Sequence, residues 1–361
     1  MKILYGVQGT GNGHISRARK MAAHFRARGA DVTWLFSGRE RDRLFDMEVF
    51  GDFEHRTGLT MSMQAGRLSY RQTVAEAKPL RFLRDVATLD LAPYDLVVTD
   101  FEPVTAWAAK LRGKPSIGIG HQYVFAHPVP RNPGNPLANG VLRWFAPATI
   151  AIGLHWHHFD CDILPPIIDT RLAPTGERSH TLVYLPFEDQ AAITALLHRF
   201  PEQRFVQYAP SLSDDIRGNV VLRNTSLHGF RSDLVAATGV ICNAGFELVS
   251  EALHLGLPVL VKPVHGQIEQ LSNARALAQL GWGTAVNNLT ESILAAWLAE
   301  RTAVQVRYPD VAAALVDWLL SGEWNSHHAL WETLWDCTRG PVSPHQFRAA
   351  GNRISARGLA G

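Results

Sequence analysis

The chain has 361 residues, 46% of them hydrophobic and 19% charged, and this length predicts two domains with cores of their own and room for a small third piece. With 29 glycines and 20 prolines it is neither collagen-like nor of low complexity. The net charge of +2 argues neither for nor against nucleic acid, and no nucleic-acid partner is expected. The distribution says more: residues 1–165 carry a net +5 and residues 166–361 a net −3, with no acid between His14 and Gly29. Such a basic half suits an anionic ligand or an anionic membrane surface, and equally reads as a solvated helix face. Cys161, Cys242 and Cys337 form no CxxC pair, which rules out a disulfide scaffold or cysteine zinc module and fits a reducing cytoplasm. No apolar run approaches the roughly 18 residues that span a bilayer. The stretch Ile3–Val7 runs straight into a glycine-rich loop, so no signal peptide is expected.

Along the chain, Lys2–Val7 reads as a strand, Ile15–Ala27 as a helix stopped by Gly29, and Asp31–Phe36 as a second strand. Helical stretches follow over Arg39–Phe45 and Tyr70–Leu89, then strand Leu96–Thr99, helix Pro103–Leu111 and strand Ser116–Ile119. This alternation predicts a parallel sheet covered on both faces. A breaker at Leu164-Pro165-Pro166 precedes a second βα series. Its strands are Thr181–Leu185, Phe205–Tyr208, Val220–Leu222, Val240–Cys242 and Pro258–Val261, with helices near 189–200, 246–255 and 269–280. The expected units are 1–165, 166–320 and a C-terminal helix with a frayed tail over 321–361. Trp331 and Trp335, four apart, share one face of a helix over Ser326–Cys337 and are expected to dock on the body.

Three segments carry chemistry. Gly9-Thr10-Gly11-Asn12-Gly13-His14 joins the first strand to the first helix, where free N–H groups face ligands in a parallel sheet. Its spacing is neither GxGxxG nor GK[ST], which disfavours dinucleotide and P-loop readings. His14 stands at the positive end of a helix, which favours the neutral imidazole that a base needs. The second segment, Asn243-Ala244-Gly245-Phe246 through Glu251, is another strand-to-helix turn suited to phosphate, with a carboxylate able to accept two hydrogen bonds from a vicinal diol. The third, Pro263 to Ala274, brings His265, Gln267, Glu269 and Gln270 to the same sheet edge, a set suited to sugar hydroxyls. Asp100 ends a strand and has two readings, an active-site carboxylate or the N-cap of the helix from Pro103. His155, His157 and His158 beside Cys161 read as core or cleft-lining residues before a metal site.

The glycine-rich turn ending in Gly13-His14 and the distal pattern Gly245-x5-Glu251-Ala252-Leu253-x2-Gly256-x-Pro258…Pro263-x3-Gln267-x-Glu269-Gln270-x2-Asn273-Ala274 resemble the GT-B glycosyltransferases. More narrowly, the chain is similar to family 1 and family 28 transferases, including the peptidoglycan N-acetylglucosaminyltransferase. Asp100-Phe101-Glu102-Pro103 and Trp156-His157-His158-Phe159…Leu164-Pro165-Pro166 resemble a little-characterised bacterial and archaeal branch. The resemblance covers about residues 1–285 and lies more in the order of the motifs than in any one of them.

It implies an α/β fold of two Rossmann-like domains whose parallel sheets face each other across a cleft, with C-terminal helices crossing back to the first domain. It implies a glycosyltransferase that moves a sugar from a nucleoside-diphosphate sugar, a UDP-sugar by analogy, to an acceptor hydroxyl, with no cofactor or metal. His14 matches the base and Asp100 the aspartate that orients it. Gly11, Asn12, Gly13, Asn243, Ala244, Gly245 and Phe246 match the donor-binding turns, Glu251 the ribose ligand, and Glu269 and Gln270, with His265 nearby, the sugar-reading groups. Asn243 stands where plant-type members have a phosphate-binding histidine. It also occupies the position of the first of two glutamates, eight apart, that mark many retaining enzymes, and an amide there favours inversion. Glu247 would repel a diphosphate, so it either points away or meets a sugar hydroxyl or metal. The rival functions are a nucleotide-sugar hydrolase on the same fold, a 2-epimerase, whose carboxylates are not evident, and a non-catalytic nucleotide-sugar sensor. The acceptor is unassigned. A lipid- or polysaccharide-linked acceptor of the cell envelope would suit the basic first helix and the stretch around Trp144-Phe145, with peripheral contact at the inner face of the cytoplasmic membrane.

Overall fold

A computed structural model of the chain describes residues 1–59, 63–64, 67–68, 78–132, 140, 143–174 and 176–342. The first half runs β1 (Lys2–Gln8), α1 (Asn12–Ala27), β2 (Asp31–Ser37), β3 (Phe53–His55), α2 (Pro79–Thr88), β4 (Leu96–Asp100), α3 (Pro103–Arg112), β5 (Ser116–Gly120) and β6 (Ile150–Gly153). The second runs β7 (His180–Tyr184), α4 (Gln190–Leu197), β8 (Phe205–Tyr208), β9 (Asp215–Arg217), β10 (Val220–Arg223), α5 (Leu227–Val235), β11 (Ala237–Cys242), α6 (Phe246–Leu255), β12 (Val259–Val261), α7 (Ile268–Leu280), β13 (Thr284–Ala285) and α8 (Glu291–Glu300). The chain then forms α9 (Val311–Ser321) and α10 (His328–Cys337).

The first sheet has the order β3-β2-β1-β4-β5-β6, all parallel. The second, β9-β10-β8-β7-β11-β12-β13, repeats it with one antiparallel strand, β9, added at the edge. In both, the order reverses beside the first strand, which opens a crevice at the carboxyl edge. Strand alternation sorts side chains between the faces. Ile3, Tyr5 and Val7 of β1 and Val240 and Cys242 of β11 join one cluster shared by the two halves. Leu4 turns instead to a separate core with Val97 and Val104, and Ile241 to one with Val183 and Leu260. Coverage on both faces is why these strands read as unbroken apolar runs.

Several expectations are corrected. Arg39–Phe45 forms only a three-residue 3-10 turn at Arg41–Arg43, because the Arg39 carbonyl bonds the His55 ring at 2.7 Å and Asp46 takes a positive φ of 52°. The helix expected from Tyr70 to Leu89 is present over Pro79–Thr88, and residues 70–77 lie outside the described residues. Strands β3, β6, β9 and β13 and helices α5 and α8 were not anticipated.

Helix α9 packs on α1, and Arg28 of α1 pairs with Asp317 of α9. On α10 the indole N–H of Trp331 donates to the Cys161 carbonyl at 3.0 Å and that of Trp335 to Ile163 at 2.8 Å. The C-terminal helices therefore cross back onto the first half, with both indoles docked. His155, His157 and His158 are buried, and each Nδ1 accepts a nearby backbone N–H. They follow the end of β6 and lie in an irregular turn in which Phe159 and Asp160 have positive φ.

Candidate active site

The carboxyl edges of the two sheets meet at a cleft of about 720 Å³, lined from both halves by the loop after β1, the face of α1, and the starts of α6 and α7. That is the size and placement expected of a small-molecule site in a doubly wound fold.

His14, in the first turn of α1, faces Asp100 at the end of β4, with Nδ1 2.7 Å from Oδ1. Ionised Asp100 only accepts, so Nδ1 carries the proton and Nε2 keeps its lone pair. Nε2 lies 3.5 Å from the Gln122 amide, whose nitrogen also donates to Glu269 of α7 at 3.1 Å. Asp100 is fully buried; burial alone would raise its pKa, but Arg17 and His14 outweigh it and hold the carboxyl below its usual value. The capping reading of Asp100 is settled by Glu102, whose carboxylate accepts from the N–H groups of Val104 and Thr105 at 2.8 and 2.7 Å and caps α3. Between the two acids, Phe101 holds a strained φ of 52° and stacks on Phe145.

Arg17, one turn beyond His14, is 2% exposed. Its Nε donates to Asp100 Oδ2 at 2.8 Å, Nη2 pairs with Oδ1, and Nη1 crosses the cleft to Glu247 in the first turn of α6. Burial disfavours its charge, yet the two carboxylates raise its pKa overall. Glu247 thus points away from the turn at Gly245, and Gly13 makes room for it: a Cβ at Gly13 would lie 2.8 Å from Glu247 Cγ. One turn further on, Lys20 Nζ donates to Glu251 at 3.0 Å. The i, i+3 spacing of Arg17 from His14 was the available signal for Arg17, but sequence alone gave it no buried partner.

Among the donor candidates, Gly11, Asn12, Gly13, Asn243, Gly245, Phe246, Glu251, Glu269 and Gln270 line the cleft. Nothing lies within 4 Å of a Cβ built on Gly245, so the backbone there borders open cleft. Ala244 is buried, and its carbonyl accepts from Asn273 at 2.9 Å, a structural role. His265 is corrected: it is exposed on the loop before Gly266 (φ +79°) and does not line the cleft. Gln270 uses its Oε1 to hold the Val264 N–H at 2.8 Å. Lys262 is engaged by Glu188 at 2.7 Å.

Two features mark the cleft as polar-ligand space. Helices α1, α6 and α7 begin there with no side-chain cap, as α2 and α10 do away from the cleft, whereas α3, α4, α5, α8 and α9 are capped by Glu102, Asp189, Ser226, Thr290 and Asp310. Uncapped N-termini leave N–H groups and a positive dipole end for an anion. In addition, Gln8 Oε1, Gln122 Oε1, Thr225 Oγ1, Asn243 Oδ1, Glu247 Oε2 and Gln267 Oε1 are buried in this lining without a hydrogen-bond partner. Buried polar atoms of that kind are costly unless a ligand or water meets them.

The sequence pattern of glycosyl transferase family 1 matches residues 1–301. The chain belongs to that family. A sequence search of curated proteins returns no match. Among solved structures, this family 1 chain is similar to the kitacinnamycin glycosyltransferase, with a TM-score of 0.56, 17% identity and coverage of 88% of this chain and 93% of that one. It is similar to SsfS6 from Streptomyces sp. SF2575 in complex with thymidine diphosphate (TM-score 0.55, 15% identity, 89% and 99% covered). It is also similar to MurG from Acinetobacter baumannii (0.50, 16%, 83% and 92%). Its two matched sheets are thus those of the GT-B fold, and the transferase places its dyad across one cleft from the uncapped starts of α6 and α7.

Proposed function

We propose that the chain transfers a sugar from a nucleoside-diphosphate sugar to an acceptor hydroxyl in a single, inverting displacement, with His14 as base. The observation that carries this reading is the His14–Asp100 pair, Nδ1 to Oδ1 at 2.7 Å, beside a cleft whose facing helix starts without a cap. The acceptor's O–H proton passes to His14 Nε2 as its oxygen attacks the anomeric carbon. The bond from that carbon to the diphosphate oxygen breaks on the opposite face, and the electron pair leaves with the diphosphate. Preorganised N–H groups in the first turn of α6 receive the charge, and Glu251 with Lys20 displaced takes the ribose diol. This scheme assigns no step to a metal. The thymidine diphosphate held by SsfS6 supports a pyrimidine nucleoside diphosphate as the donor's handle, and a UDP-sugar is the first candidate.

The test is a thermal-shift panel of UDP, dTDP, GDP, CMP and UDP-sugars, followed by product analysis. A nucleotide at 100 times its Kd adds about 2.7 kcal/mol to the folded state, so one diphosphate class should raise the midpoint by several degrees. Stabilisation by none of them refutes the donor assignment. Release of free sugar in place of a glycosylated acceptor would make the chain a hydrolase, and binding without turnover would make it a sensor. Retained turnover with EDTA is expected, and its loss would refute metal independence.

A further inference from the structure

Glu247 has no part in the scheme above, although it stands in the first turn of α6, whose N–H groups the scheme gives to the departing diphosphate, and is nearly buried. Its side chain is 11% exposed, its Oε2 has no hydrogen-bond partner, and its other oxygen meets a guanidinium that is 2% exposed. A carboxylate in that position costs desolvation and would repel an anionic donor unless the protein uses its charge. Arg17 belongs to the same half as His14 and Asp100, and Glu247 to the other. The contacts of Arg17 to Asp100 and His14 lie within the first half, whereas the one to Glu247 crosses the cleft at the close approach that Gly13 permits.

The buried cluster of Asp100, Arg17 and Glu247 carries one net negative charge while His14 is neutral, and none once His14 has accepted a proton. Without Glu247 the same proton would turn a neutral cluster into a buried cation, which a low-dielectric site disfavours. Other titratable groups around it are Tyr5 on β1, Lys20 on α1, Glu102 before α3, His121 and Tyr123 after β5, Glu251 on α6 and Glu269 on α7. Lys20 and Glu251 neutralise each other, Glu102 is held by Ser37 and Thr105, and Glu269 reaches His14 through the Gln122 amide.

We infer that Glu247 is a positioning residue for the base: reaching from the donor half to Arg17, it sets the charge of the Asp100–Arg17–His14 cluster so that His14 accepts the acceptor's proton best when the cleft is shut. The inference rests on the assignment of His14 as base. It also gives a physical reason for a carboxylate beside a diphosphate turn.

The test uses the full chain and Glu247→Gln, with ¹³C-histidine NMR to follow the His14 imidazole from pH 5 to 9, its signal identified by His14→Ala. UDP binding and sugar release or transfer from UDP-N-acetylglucosamine are measured alongside. In Glu247→Gln the His14 midpoint should move to lower pH by about one unit, the low end for a neighbouring charge because Arg17 intervenes. The acid limb of kcat/KM should move with it, and kcat should fall about tenfold at neutral pH while UDP affinity holds within threefold. An unmoved midpoint, or loss of UDP affinity with kcat intact, overturns the inference and leaves the transferase reading standing. A shifted midpoint in a chain that neither binds UDP nor turns over would instead sink the transferase reading. Arg17→Lys is the second variant: it keeps the charge and loses the fork, so the midpoint should stay within about half a unit while kcat falls.

Discussion

Replacing Asp100 with Asn tests whether the dyad is a base and its orienter. The side chain is fully buried and keeps its volume, so the change is chiefly in charge and hydrogen-bond polarity. Asp100 Oδ2 accepts from Arg17 Nε at 2.8 Å, and Oδ1 accepts from His14 Nδ1 at 2.7 Å and from Arg17 Nη2. Asparagine has one acceptor oxygen. If that oxygen stays with Arg17, the NH2 faces His14 Nδ1 and selects the tautomer protonated at Nε2, which cannot accept a proton there. A positioned base contributes on the order of 10²–10⁴ in rate, so kcat should fall by about that factor. The two bonds lost at Oδ1, from His14 Nδ1 and Arg17 Nη2, should cost about 1.5–3 kcal/mol of stability each, moderated because Arg17 retains Glu247. Nucleotide binding should hold, since Asp100 contacts neither α6 nor α7. The assay is kcat and kcat/KM against pH on the donor found in the panel, with UDP-induced thermal shift as the control. An Asp100→Asn protein within tenfold of the parent, with the same pH profile and the same UDP shift, would refute the orienter role.

Other outcomes follow from the same geometry. Glu251→Gln should weaken UDP binding about 10- to 100-fold, the worth of a hydrogen bond to a charged group, whereas Lys20→Ala should tighten it by releasing Glu251; calorimetric titration checks both. Burial first, and then His158, lowers the His157 pKa to about 3 from its ordinary 6.5. Between those values only the unfolded chain takes up this proton, so the contribution of His157 is fully present above about pH 6.5 and falls with decreasing pH by up to about 1.4 kcal/mol per unit. Urea midpoints at pH 7 and pH 5 should therefore differ, and His157→Gln should flatten the difference. Trp144 is 51% exposed, with Lys110 and Arg143 at 4.6 and 5.5 Å from its ring, a basic aromatic tip suited to anionic lipid. Cosedimentation with phosphatidylglycerol vesicles at low salt should fall in Trp144→Ala, and a chain that does not pellet at all would remove the membrane proposal.

Local signals were enough to place much of this molecule. Runs such as Leu96–Thr99 and Phe205–Tyr208 are strands buried on both faces, and glycines such as Gly113 and Gly256 stop their helices in the left-handed region. Those properties depend on period and backbone freedom and can be read residue by residue. The motif order placed His14, Asp100 and the turn at Gly245 on the edges of strands, and hence near one crevice. The short edge strands β3 and β6 escaped because three or four residues carry too little pattern to register. The pairing across the cleft was beyond the sequence for a different reason. Arg17 and Glu247 are 230 positions apart, and nothing in the sequence pairs the basic helix residue with the acid beside the diphosphate turn until two sheets bring α1 and α6 together. Likewise His265 sits four residues from Glu269 in the chain, yet a left-handed glycine turns it to solvent. The residue types and their strand-edge positions were determined by the sequence alone. Only the tertiary structure decided which of the charges are buried together, because burial and charge pairing depend on distances between segments that share no local pattern.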